Sequence, residues 1–446
     1  MRALYSWVLW LAQPFLRRKL LQRSRQEPGY GQAVEERFGH YTTLALDGHA
    51  LVIWVHAVSL GETRTAALLI AGLRARWPGM RLLLTHGTAT GRAEGAALLQ
   101  AGDLQVWQPW DTPGAVQRFL THFKPRLGIL METEVWPNLI ALSQQNGVPL
   151  VLANARMSEK SRAQSARLAC LSRPALSALT AVWAQTEADA TRLRQLGATV
   201  QGVFGNLKFD ATPDATKLAK GRAWRNALPS PVAVLASSRE GEELAWLQIL
   251  KSSKTFKPLA QVESNQDAID LVANDIQWLV VPRHPQRFDA VAALIEQQGF
   301  TVSRRSHWQN APPAADPAHM IWLGDSLGDM PVYYGMADVA LLGGSFEPLG
   351  GQNLIEAAAC GCPVIMGPHT FNFAQAAELA EAAGAATPVS DLSAAVAQAH
   401  QLMADTGHRA RMVSAALGLS GTHRGALEKT VAAVASLLSQ QGVDGL

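Results

Sequence analysis

Short apolar segments of strand-like composition alternate with helical patterns along nearly the whole chain of 446 residues. Helical patterns such as Thr63–Arg76 and Gln352–Ala359 separate most of these segments. Such alternation is typical of parallel sheets with helices on both faces, because parallel neighbours need a crossover connection. The segments expected to be strands are Leu51–Val58, Arg81–His86, Leu104–Trp110, Leu127–Met131, Pro149–Asn154, Ala181–Gln185 and Val200–Gly205, then Val232–Ser237, Gln277–Pro282, Thr301–Arg304, Met320–Gly324, Val339–Leu342, Pro363–Met366 and Ala385–Pro388.

Two doubly wound α/β units are the expected organisation, since this length suits two domains. We predict an N-terminal segment over residues 1–25, a first Rossmann-like domain over 26–215 and a second over 216–446, whose last helices are free to pack back on the first. The break is expected in the charged, proline-containing stretch 210–231. Residues 251–275 are polar, lack clear periodicity and resemble an insertion without an assigned role.

The first 25 residues differ in composition from the rest of the chain. Met1–Leu16 is apolar and aromatic, and a basic cluster follows it: Arg17, Arg18, Lys19, Arg23 and Arg25. The apolar run is shorter than the ~20 residues of a spanning helix, and its flanking charge is the reverse of a cleavable signal. A short anchor, an interfacial segment and a core helix with a solvated basic end are the alternatives. We favour membrane association with the basic cluster on the cytoplasmic side.

The net charge and the cysteines of the chain give little support to nucleic-acid binding or to a zinc site. A net charge of only +3 gives little support to nucleic-acid binding. Cys360 and Cys362 flank a single glycine without a second ligand pair, which is poor spacing for zinc, so we expect small buried thiols.

Polar residues collect where the expected strands end, and in parallel sheets ligands bind beyond the carboxyl ends of strands. The first half supplies His56, Ser59, Glu62, His86, Glu132, Glu134, Asn154, Arg156, Asn206 and Lys208. The second half supplies Ser237, Ser238, Glu240, Arg283, His284, Asp325 and a loop over 343–356. Two such sets predict a cleft with one side for each of two substrates.

The loop over 343–356 has the features of a nucleotide site. Gly343, Gly344 and Ser345 end an apolar strand, and Gly350 and Gly351 precede a helix. Glycine pairs let backbone N–H groups approach an anion, and a helix start favours negative charge. Asn353 as an N-cap with Glu356 as its capping-box partner is the competing interpretation, but capping alone does not require two glycine pairs.

Glu62 is the candidate proton acceptor of the first half. It is expected at a helix start, where it can take a proton from an attacking hydroxyl. Ser59 and Glu62 also have capping-box spacing, and the two interpretations are evenly balanced. A helix N-terminus stabilises the anion and weakens it as a base, whereas desolvation acts in the opposite direction.

The remaining candidates each have a simpler interpretation. Arg283 and His284 end a strand, and an arginine suits phosphate or carboxylate. Ser237 and Ser238 begin a strand–turn–helix segment that suits an anion, or helix capping through Ser237 and Glu240. Carboxylates near Gly324 and Asp325 are too few to indicate a required metal. Glu132 and Glu134 follow a strand, and we expect them to maintain the geometry of the site rather than to transfer protons.

Together these motifs resemble the 3-deoxy-D-manno-octulosonic acid (Kdo) transferases of lipopolysaccharide assembly. The resemblance extends roughly from Arg17 to the C-terminal helices. Its markers are His56-x-x-Ser59-x-Gly61-Glu62, Glu132-Thr-Glu-Val-Trp-Pro-Asn138, Asn154-Ala-Arg-Met-Ser158, Pro282-Arg-His-Pro285, Gly324-Asp-Ser326, Gly343-Gly-Ser345, Gly350-Gly-Gln-Asn353-x-x-Glu356 and Gly367-Pro-His-Thr-Phe-Asn-Phe373. The resemblance implies a GT-B fold, CMP-Kdo as donor, a lipid A precursor as acceptor, no cofactor, and an enzyme held at the cytoplasmic face of the inner membrane.

The family roles transfer to this chain where its motifs match. Glu62 matches the general base of a direct displacement, with Asn353 and Glu356 near the cytidine ribose. The donor side is then expected to include Ser237, Ser238, Arg283, His284, Gly324, Asp325, Gly343, Gly344, Ser345, Gly350, Gly351, Asn353 and Glu356. The acceptor side is expected to include His56, Ser59, Arg64, Glu132, Glu134, Asn154 and Arg156. Three residues near the donor depart from the usual pattern: Arg239 and Gln352, where histidine is common, and Asp329, where glutamate is usual.

Two other functions fit the same motifs less well. One is a GT-B transferase that uses a UDP-sugar and a lipid-carrier acceptor. The other is a non-catalytic lipid or nucleotide binder at the membrane, which two sets of polar strand ends disfavour. Neither the number of Kdo residues added nor the oligomeric state follows from the sequence.

Overall fold

The computed structural model describes residues 1–43, 50–254 and 276–442, so most of the polar stretch 251–275 lies outside the described residues. The described strands are β1 Val52–His56, β2 Arg81–His86, β3 Leu104–Trp107, β4 Leu127–Met131, β5 Leu150–Ala155, β6 Ala181–Ala184, β7 Val200–Val203, β8 Val232–Ser238, β9 Gln277–Pro282, β10 Thr301–Arg304, β11 Met320–Leu323, β12 Val339–Leu342, β13 Val364–Met366 and β14 Ala386–Pro388. Each of the fourteen predicted segments overlaps one of them, and only β5 and β8 extend one residue beyond their segments, which confirms the α/β prediction.

Helices connect these strands, as the alternating pattern predicts. They are α1 Arg2–Ser24, α2 Leu60–Arg76, α3 Ala89–Ala96, α4 Pro113–Phe123, α5 Pro137–Gln145, α6 Glu159–Arg167, α7 Ala169–Ser177, α8 Glu187–Gln195, α9 Ala215–Ala227, α10 Glu242–Lys254, α11 Phe288–Gln297, α12 Met330–Met336, α13 Leu354–Ala359, α14 Ala374–Ala382, α15 Leu392–Ala404, α16 Thr406–Thr422 and α17 Ala426–Ser439. The chain divides into unit 1, Met1–Asp210 with His423–Leu446, and unit 2, Ala211–Thr422.

Unit 1 is built on a parallel sheet of seven strands in the order β3-β2-β1-β4-β5-β6-β7. Successive side chains of a strand point to opposite faces. In β1, Ile53 therefore joins one apolar cluster with Leu69 of α2, while Trp54 joins the other cluster with Phe119 of α4. All four side chains are fully buried or nearly so. Burial on both faces explains why the sequences of the strands are continuous apolar runs.

Unit 2 repeats this architecture with seven parallel strands in the order β10-β11-β9-β8-β12-β13-β14. Its core includes Leu235, Val280, Leu323 and Leu341 from four adjacent strands, all with exposures of 0%. In each unit the strand order reverses direction at an internal position. Such switch points are where open α/β sheets bind their ligands.

The last helix, α17, belongs to unit 1 rather than to unit 2. Asp210 accepts backbone N–H bonds from Gly425 (2.6 Å) and Leu427 (2.8 Å) at its start. Its apolar face packs on α2, where a Cβ atom at Gly72 would lie only 2.9 Å from Leu427 and 3.1 Å from Val431. The absence of a side chain at Gly72 thus allows the two helices to approach closely.

Helix α1 carries an unusually apolar exposed surface. Its exposed side chains include Leu4, Trp7, Trp10, Leu11 and Phe15, while Leu20 is its buried residue. In the parts of the chain that the structure describes, no helix combines the length and the apolar character needed to cross a bilayer.

Candidate active site

The acceptor-side candidates of unit 1 lie at the carboxyl edge of its sheet. His56 ends β1, Glu132 follows β4 and Asn154 lies in β5, and these three strands are neighbours. The backbones of Glu132 (φ 60°) and Asn154 (φ 52°) are left-handed. Non-glycine residues rarely adopt this conformation, and it is concentrated at functional sites. The parallel sheet therefore brings these predicted residues together.

Glu62 lies in the first turn of α2 and forms the predicted capping box. The Ser59 hydroxyl donates to Glu62 Oε1 (2.9 Å), and the Glu62 N–H donates to Ser59 Oγ (3.4 Å). The backbone N–H of Val58 donates to Glu62 Oε2 (2.9 Å). Both carboxylate oxygens are thus held in place, and the capping interpretation is confirmed.

Capping does not make Glu62 a weak base. Burial raises the pKa of Glu62 to about 7; the bonds from Val58 and Ser59 lower it, while the negative charges of Glu132 and Glu134 raise it. Desolvation therefore outweighs these hydrogen bonds, and the pKa shift favours proton acceptance near neutral pH. Capping and proton transfer are compatible roles for this carboxylate.

His56, at the end of β1, is a neutral, fully buried side chain. Its Nδ1 atom lies 2.9 Å from Thr85 Oγ1 and 3.1 Å from the Thr85 carbonyl oxygen. Its Nε2 atom is 3.9 Å from Glu134 Oε2. Burial, followed by the charge of the neighbouring His86, lowers the pKa of His56 to about 3. Its contact with Glu134 is therefore not an ion pair near neutral pH.

Other polar residues complete this carboxyl edge of the sheet, the acidic edge, which carries Glu132 and Glu134. The Trp136 indole donates to Glu134 Oε2 (2.6 Å), and burial raises the pKa of Glu134. The Lys208 ammonium lies 3.4 Å from Glu132 Oε1. Lys208 follows β7 and is among the strand-end residues of the sequence, but the predicted acceptor side does not include it.

Asn154 and the two predicted arginines have different surroundings. Asn154 is 3% exposed, and its Oδ1 atom accepts the Leu207 N–H (3.0 Å), so it also fixes the loop after β7. Arg156 is half-buried, and its N–H donates to the Glu132 carbonyl oxygen (3.0 Å). Arg64 instead points to the surface and pairs with Glu94 of α3 (2.7 Å). The structure therefore gives Arg64 an ion-pair partner away from the acidic edge.

In unit 2 the glycine loop is organised by a buried carboxylate that the sequence analysis did not identify. Glu242, in the first turn of α10, is 1% exposed. Its oxygens accept the Gly344 N–H (2.8 and 2.7 Å) and the Phe346 N–H (3.3 Å). The Gly343 N–H donates to the Ala236 carbonyl oxygen (2.9 Å). Protein oxygens therefore accept the N–H groups of Gly343 and Gly344, and donor binding by this loop stays a prediction.

The rest of the loop is shaped by backbone geometry and packing. Gly350 (φ 90°) and Gly351 (φ 74°) adopt the left-handed conformation that glycine tolerates. Ser345 is buried, and its hydroxyl accepts the Gly367 N–H (2.8 Å). Asn353 Oδ1 accepts the Ile355 N–H (3.2 Å), which confirms Asn353 as the N-cap of α13, with Glu356 half-buried in its first turn.

A cationic group lies against this loop. Arg283 Nε donates to Gln352 Oε1 (3.0 Å). A Cβ atom at Gly344 would lie 3.1 Å from Gln352 Nε2 and 3.5 Å from Arg239 Cγ, so both side chains border Gly344. Burial and then the charges of Arg239 and Arg283 lower the pKa of His284. Arg239 and Arg283 thus form a positive surface beside Gly344 and Gln352, which suits a phosphate or carboxylate. Glu240 also pairs with Arg239 (3.5 Å).

The serines at the end of β8 do not cap α10 in the predicted way. Ser237 has a left-handed backbone (φ 57°). The buried Ser238 hydroxyl donates to Glu243 Oε1 (2.7 Å), and Glu243 also pairs with Arg287 (2.7 Å). Capping through Ser237 and Glu240 is therefore wrong; the buried carboxylates of the next turn make these contacts.

Asp325 and Gly324 have structural roles in unit 2. The Asp325 carboxylate accepts bonds from Arg304 Nε, the Ser306 N–H and the Ser306 hydroxyl, each at 2.7 Å. Burial raises the pKa of Asp325, but these bonds reverse the effect and the pKa is lowered. A Cβ atom at Gly324 would lie 2.7 Å from Val281. Because its oxygens are engaged within the protein, Asp325 is a poor candidate for the predicted donor contact.

The cysteines and acidic residues are dispersed. Cys360 and Cys362 are buried free thiols, as predicted, and Cys170 is exposed. In residues 1–43, 50–254 and 276–442, no three His, Cys, Asp or Glu side chains are grouped so as to hold a metal ion.

Two protein-family models match the chain. Residues 32–211 match the model described as 3-deoxy-D-manno-octulosonic-acid transferase, and residues 316–417 match glycosyl transferases group 1. The chain is 43% identical to the 3-deoxy-D-manno-octulosonic acid transferase of Bordetella pertussis over 97% of this chain and 98% of that protein. It is 31% identical to the enzyme of the same name from Haemophilus influenzae over 96% of each chain.

Solved structures show the same fold at low sequence identity. The UDP-GlcNAc 2-epimerase of Neisseria meningitidis superposes with a TM-score of 0.53 and 14% identity, over 87% of this chain and all of that one. At this identity the likeness concerns the fold alone. With the two parallel sheets, it identifies a GT-B architecture.

Proposed function

The chain belongs to the 3-deoxy-D-manno-octulosonic acid (Kdo) transferase family and is a glycosyltransferase, and we propose that it transfers Kdo from CMP-Kdo to a lipid A precursor, lipid IVA. This step would belong to the assembly of the lipopolysaccharide core. Relatives that match nearly end to end are named 3-deoxy-D-manno-octulosonic acid transferases, which supports Kdo transfer as the reaction class.

The observation that carries the mechanism is the half-buried Glu62 carboxylate at the start of α2, which the Val58 N–H and the Ser59 hydroxyl hold in place and whose pKa burial raises. In the proposed reaction a sugar hydroxyl of the acceptor attacks the anomeric carbon of Kdo, and Glu62 takes the hydroxyl proton. A carbon–oxygen bond to the acceptor forms while the bond from the anomeric carbon to the CMP phosphate oxygen breaks. CMP leaves with that electron pair, and the configuration inverts. A base with a pKa of about 7 suits this role near neutral pH.

We propose that the positive surface of unit 2 binds the donor. Arg239, Arg283 and His284 border the glycine loop and offer donors for the CMP phosphate or the Kdo carboxylate. Asn353 and Glu356 would lie by the cytidine ribose, as the family motif implies. The arginines supply positive charge to the departing phosphate, so we expect transfer without an added metal and in the presence of EDTA.

We also propose that the enzyme works at the cytoplasmic face of the inner membrane. The exposed Trp7 and Trp10 of α1 suit the bilayer interface. Basic residues in the second half of α1, such as Arg18 and Lys19, suit anionic headgroups. A lipid-linked acceptor would then be reached from the surface in which it is embedded.

The direct test is transfer to lipid IVA with CMP-Kdo generated in the assay and products resolved by mass. A gain of one or more Kdo units supports the proposal and counts the additions. Transfer from a UDP-sugar in place of CMP-Kdo would assign the chain to another GT-B reaction. Binding of CMP without turnover of any donor would contradict the enzymatic proposal for this acceptor.

A further inference from the structure

Helix α1 contacts unit 1 through two polar side chains near its start. The Ser6 hydroxyl donates to Asn138 Oδ1 (3.1 Å). The Tyr5 hydroxyl hydrogen-bonds to the carboxylate of Asp111, and burial, followed by the charge of Asp111, raises the pKa of Tyr5. The apolar, exposed helix α1 therefore contacts two polar residues of unit 1, Asp111 and Asn138.

Asp111 caps α5 from outside that helix. It is 2% exposed, and its two oxygens accept the N–H groups of Asn138 (3.0 Å) and Leu139 (2.7 Å) in the first turn of α5. Asn138 Nδ2 also donates to the Asp111 carbonyl oxygen (2.6 Å). Trp136, the N-cap residue of α5, supplies no side-chain cap of its own. First-turn N–H groups need an acceptor, and here Asp111 provides it.

The start of α5 is in turn connected to the acidic edge. Trp136 Nε1 donates to Glu134 Oε2 (2.6 Å), and the same oxygen is 3.9 Å from His56 Nε2. The charge of Glu134 acts on Glu62. Asp111 therefore bonds to Asn138 and Leu139 in the first turn of α5, and Trp136, the N-cap residue of the same helix, bonds to Glu134.

We propose that Asp111 is a positioning residue, which together with Tyr5 and Ser6 of α1 holds the start of α5 so that Trp136 keeps Glu134 in place beside His56 at the acidic edge, where Glu62 is proposed to act. This inference rests on the proposed role of Glu62. It links the seating of α1 on unit 1 to the acceptor-side carboxylates, and so gives the N-terminal helix a part in turnover in addition to its proposed contact with the membrane.

The first experiment removes single hydroxyl groups from α1. Tyr5→Phe and Ser6→Ala should each lower kcat about fivefold, the effect of one hydrogen bond, and leave the KM for CMP-Kdo unchanged. Ser24→Ala is the matched control, because the Ser24 hydroxyl bonds only to the Leu21 carbonyl oxygen of its own helix (2.8 Å). Equal kcat values for Tyr5→Phe and Ser24→Ala would overturn the inference.

A double-mutant cycle separates positioning from general stabilisation. Trp136→Phe keeps an aromatic ring but removes the N–H that binds Glu134. If Tyr5 acts through Trp136, adding Tyr5→Phe to Trp136→Phe should reduce kcat by less than about twofold further. Fully additive losses would show that Tyr5 acts by another route and would refute the proposed connection.

Amide hydrogen exchange measures the protection of the Asn138 and Leu139 N–H groups and needs no substrate. Tyr5→Phe should speed exchange at the Asn138 and Leu139 amides about fivefold, while Ser24→Ala leaves it unchanged. Failure of the wild-type protein to transfer Kdo would refute the proposed function, and the exchange rates would still report the Tyr5–Asp111 connection. Unchanged exchange in Tyr5→Phe would refute the connection whatever the substrate.

Discussion

Replacing Glu62 by glutamine separates the two roles of this carboxylate. Glutamine keeps one oxygen that can accept the Val58 N–H or the Ser59 hydroxyl, the bonds that the carboxylate accepts at 2.9 Å. It cannot accept a proton near neutral pH. The substitution is therefore expected to preserve most of the cap and to remove the base.

The two roles predict effects of very different size. Loss of an N-terminal cap costs about 1 kcal/mol, which lowers the melting temperature by only about 2–4 °C in a domain of this size. Loss of a general base lowers the rate by about 10²–10⁴-fold. We expect Glu62→Gln to reduce kcat for Kdo transfer by at least about 100-fold, with CMP affinity unchanged because Glu62 lies in unit 1.

Asp189→Asn provides a matched control in the same unit. Asp189 forms a comparable capping box at α8, where its Oδ2 atom accepts the Thr186 hydroxyl (2.6 Å) and its N–H donates to Thr186 Oγ1 (3.0 Å). Both variants should lose similar stability by thermal unfolding, and only Glu62→Gln should lose transfer, measured as Kdo-modified lipid by mass. Similar kcat losses in the two variants, or near wild-type turnover of Glu62→Gln, would refute the base assignment.

Four further predictions test the two units and the N-terminal helix. Because burial raises the pKa of Glu62 to about 7 and only the carboxylate form accepts a proton, kcat/KM should fall as the pH drops below about 7; a pH–rate profile that is flat from 6 to 8 would contradict this. Arg283→Lys removes the Nε donor to Gln352 and should raise the KM for CMP-Kdo about tenfold in steady-state assays, whereas an unchanged KM would argue against donor contact. Glu242→Gln loses a charged acceptor of two loop N–H groups and should destabilise the protein by about 1–3 kcal/mol and weaken CMP binding, measured by denaturant unfolding and calorimetry. Joint replacement of Trp7 and Trp10 by alanine should reduce binding to anionic vesicles about tenfold in co-sedimentation without lowering the melting temperature, since both side chains are exposed.

The sheets were predictable because their strands are buried on both faces. In β1, Ile53 and Trp54 point to opposite faces and are equally buried, so the whole segment is apolar and stands out from its surroundings. The position of α17 was harder to predict. It depends on Asp210 accepting N–H groups more than 200 residues away, at Gly425 and Leu427, and no local pattern encodes such a contact.

The site was predictable in position but not in its internal contacts. Strand ends placed His56, Glu132 and Asn154 along one edge, as the topology of neighbouring parallel strands requires. The same reasoning left the glycine N–H groups open to an anion, whereas Glu242 occupies that of Gly344. The available signal was a pair of adjacent acids, Glu242 and Glu243, at the start of a helix after a buried strand, since such acids need buried partners.

Glu62 shows why a capping motif does not exclude catalysis. The bonds from Val58 and Ser59 hold the carboxylate at a fixed position and lower its pKa, whereas burial and the charges of Glu132 and Glu134 raise it. The cap thus supplies the orientation that proton transfer requires, and the surroundings restore the basicity that the cap removes. Burial is the largest of these effects, and the charge of Glu134 adds to it. Because the Trp136 indole donates to Glu134, the start of α5 contacts one of the charges that act on the base.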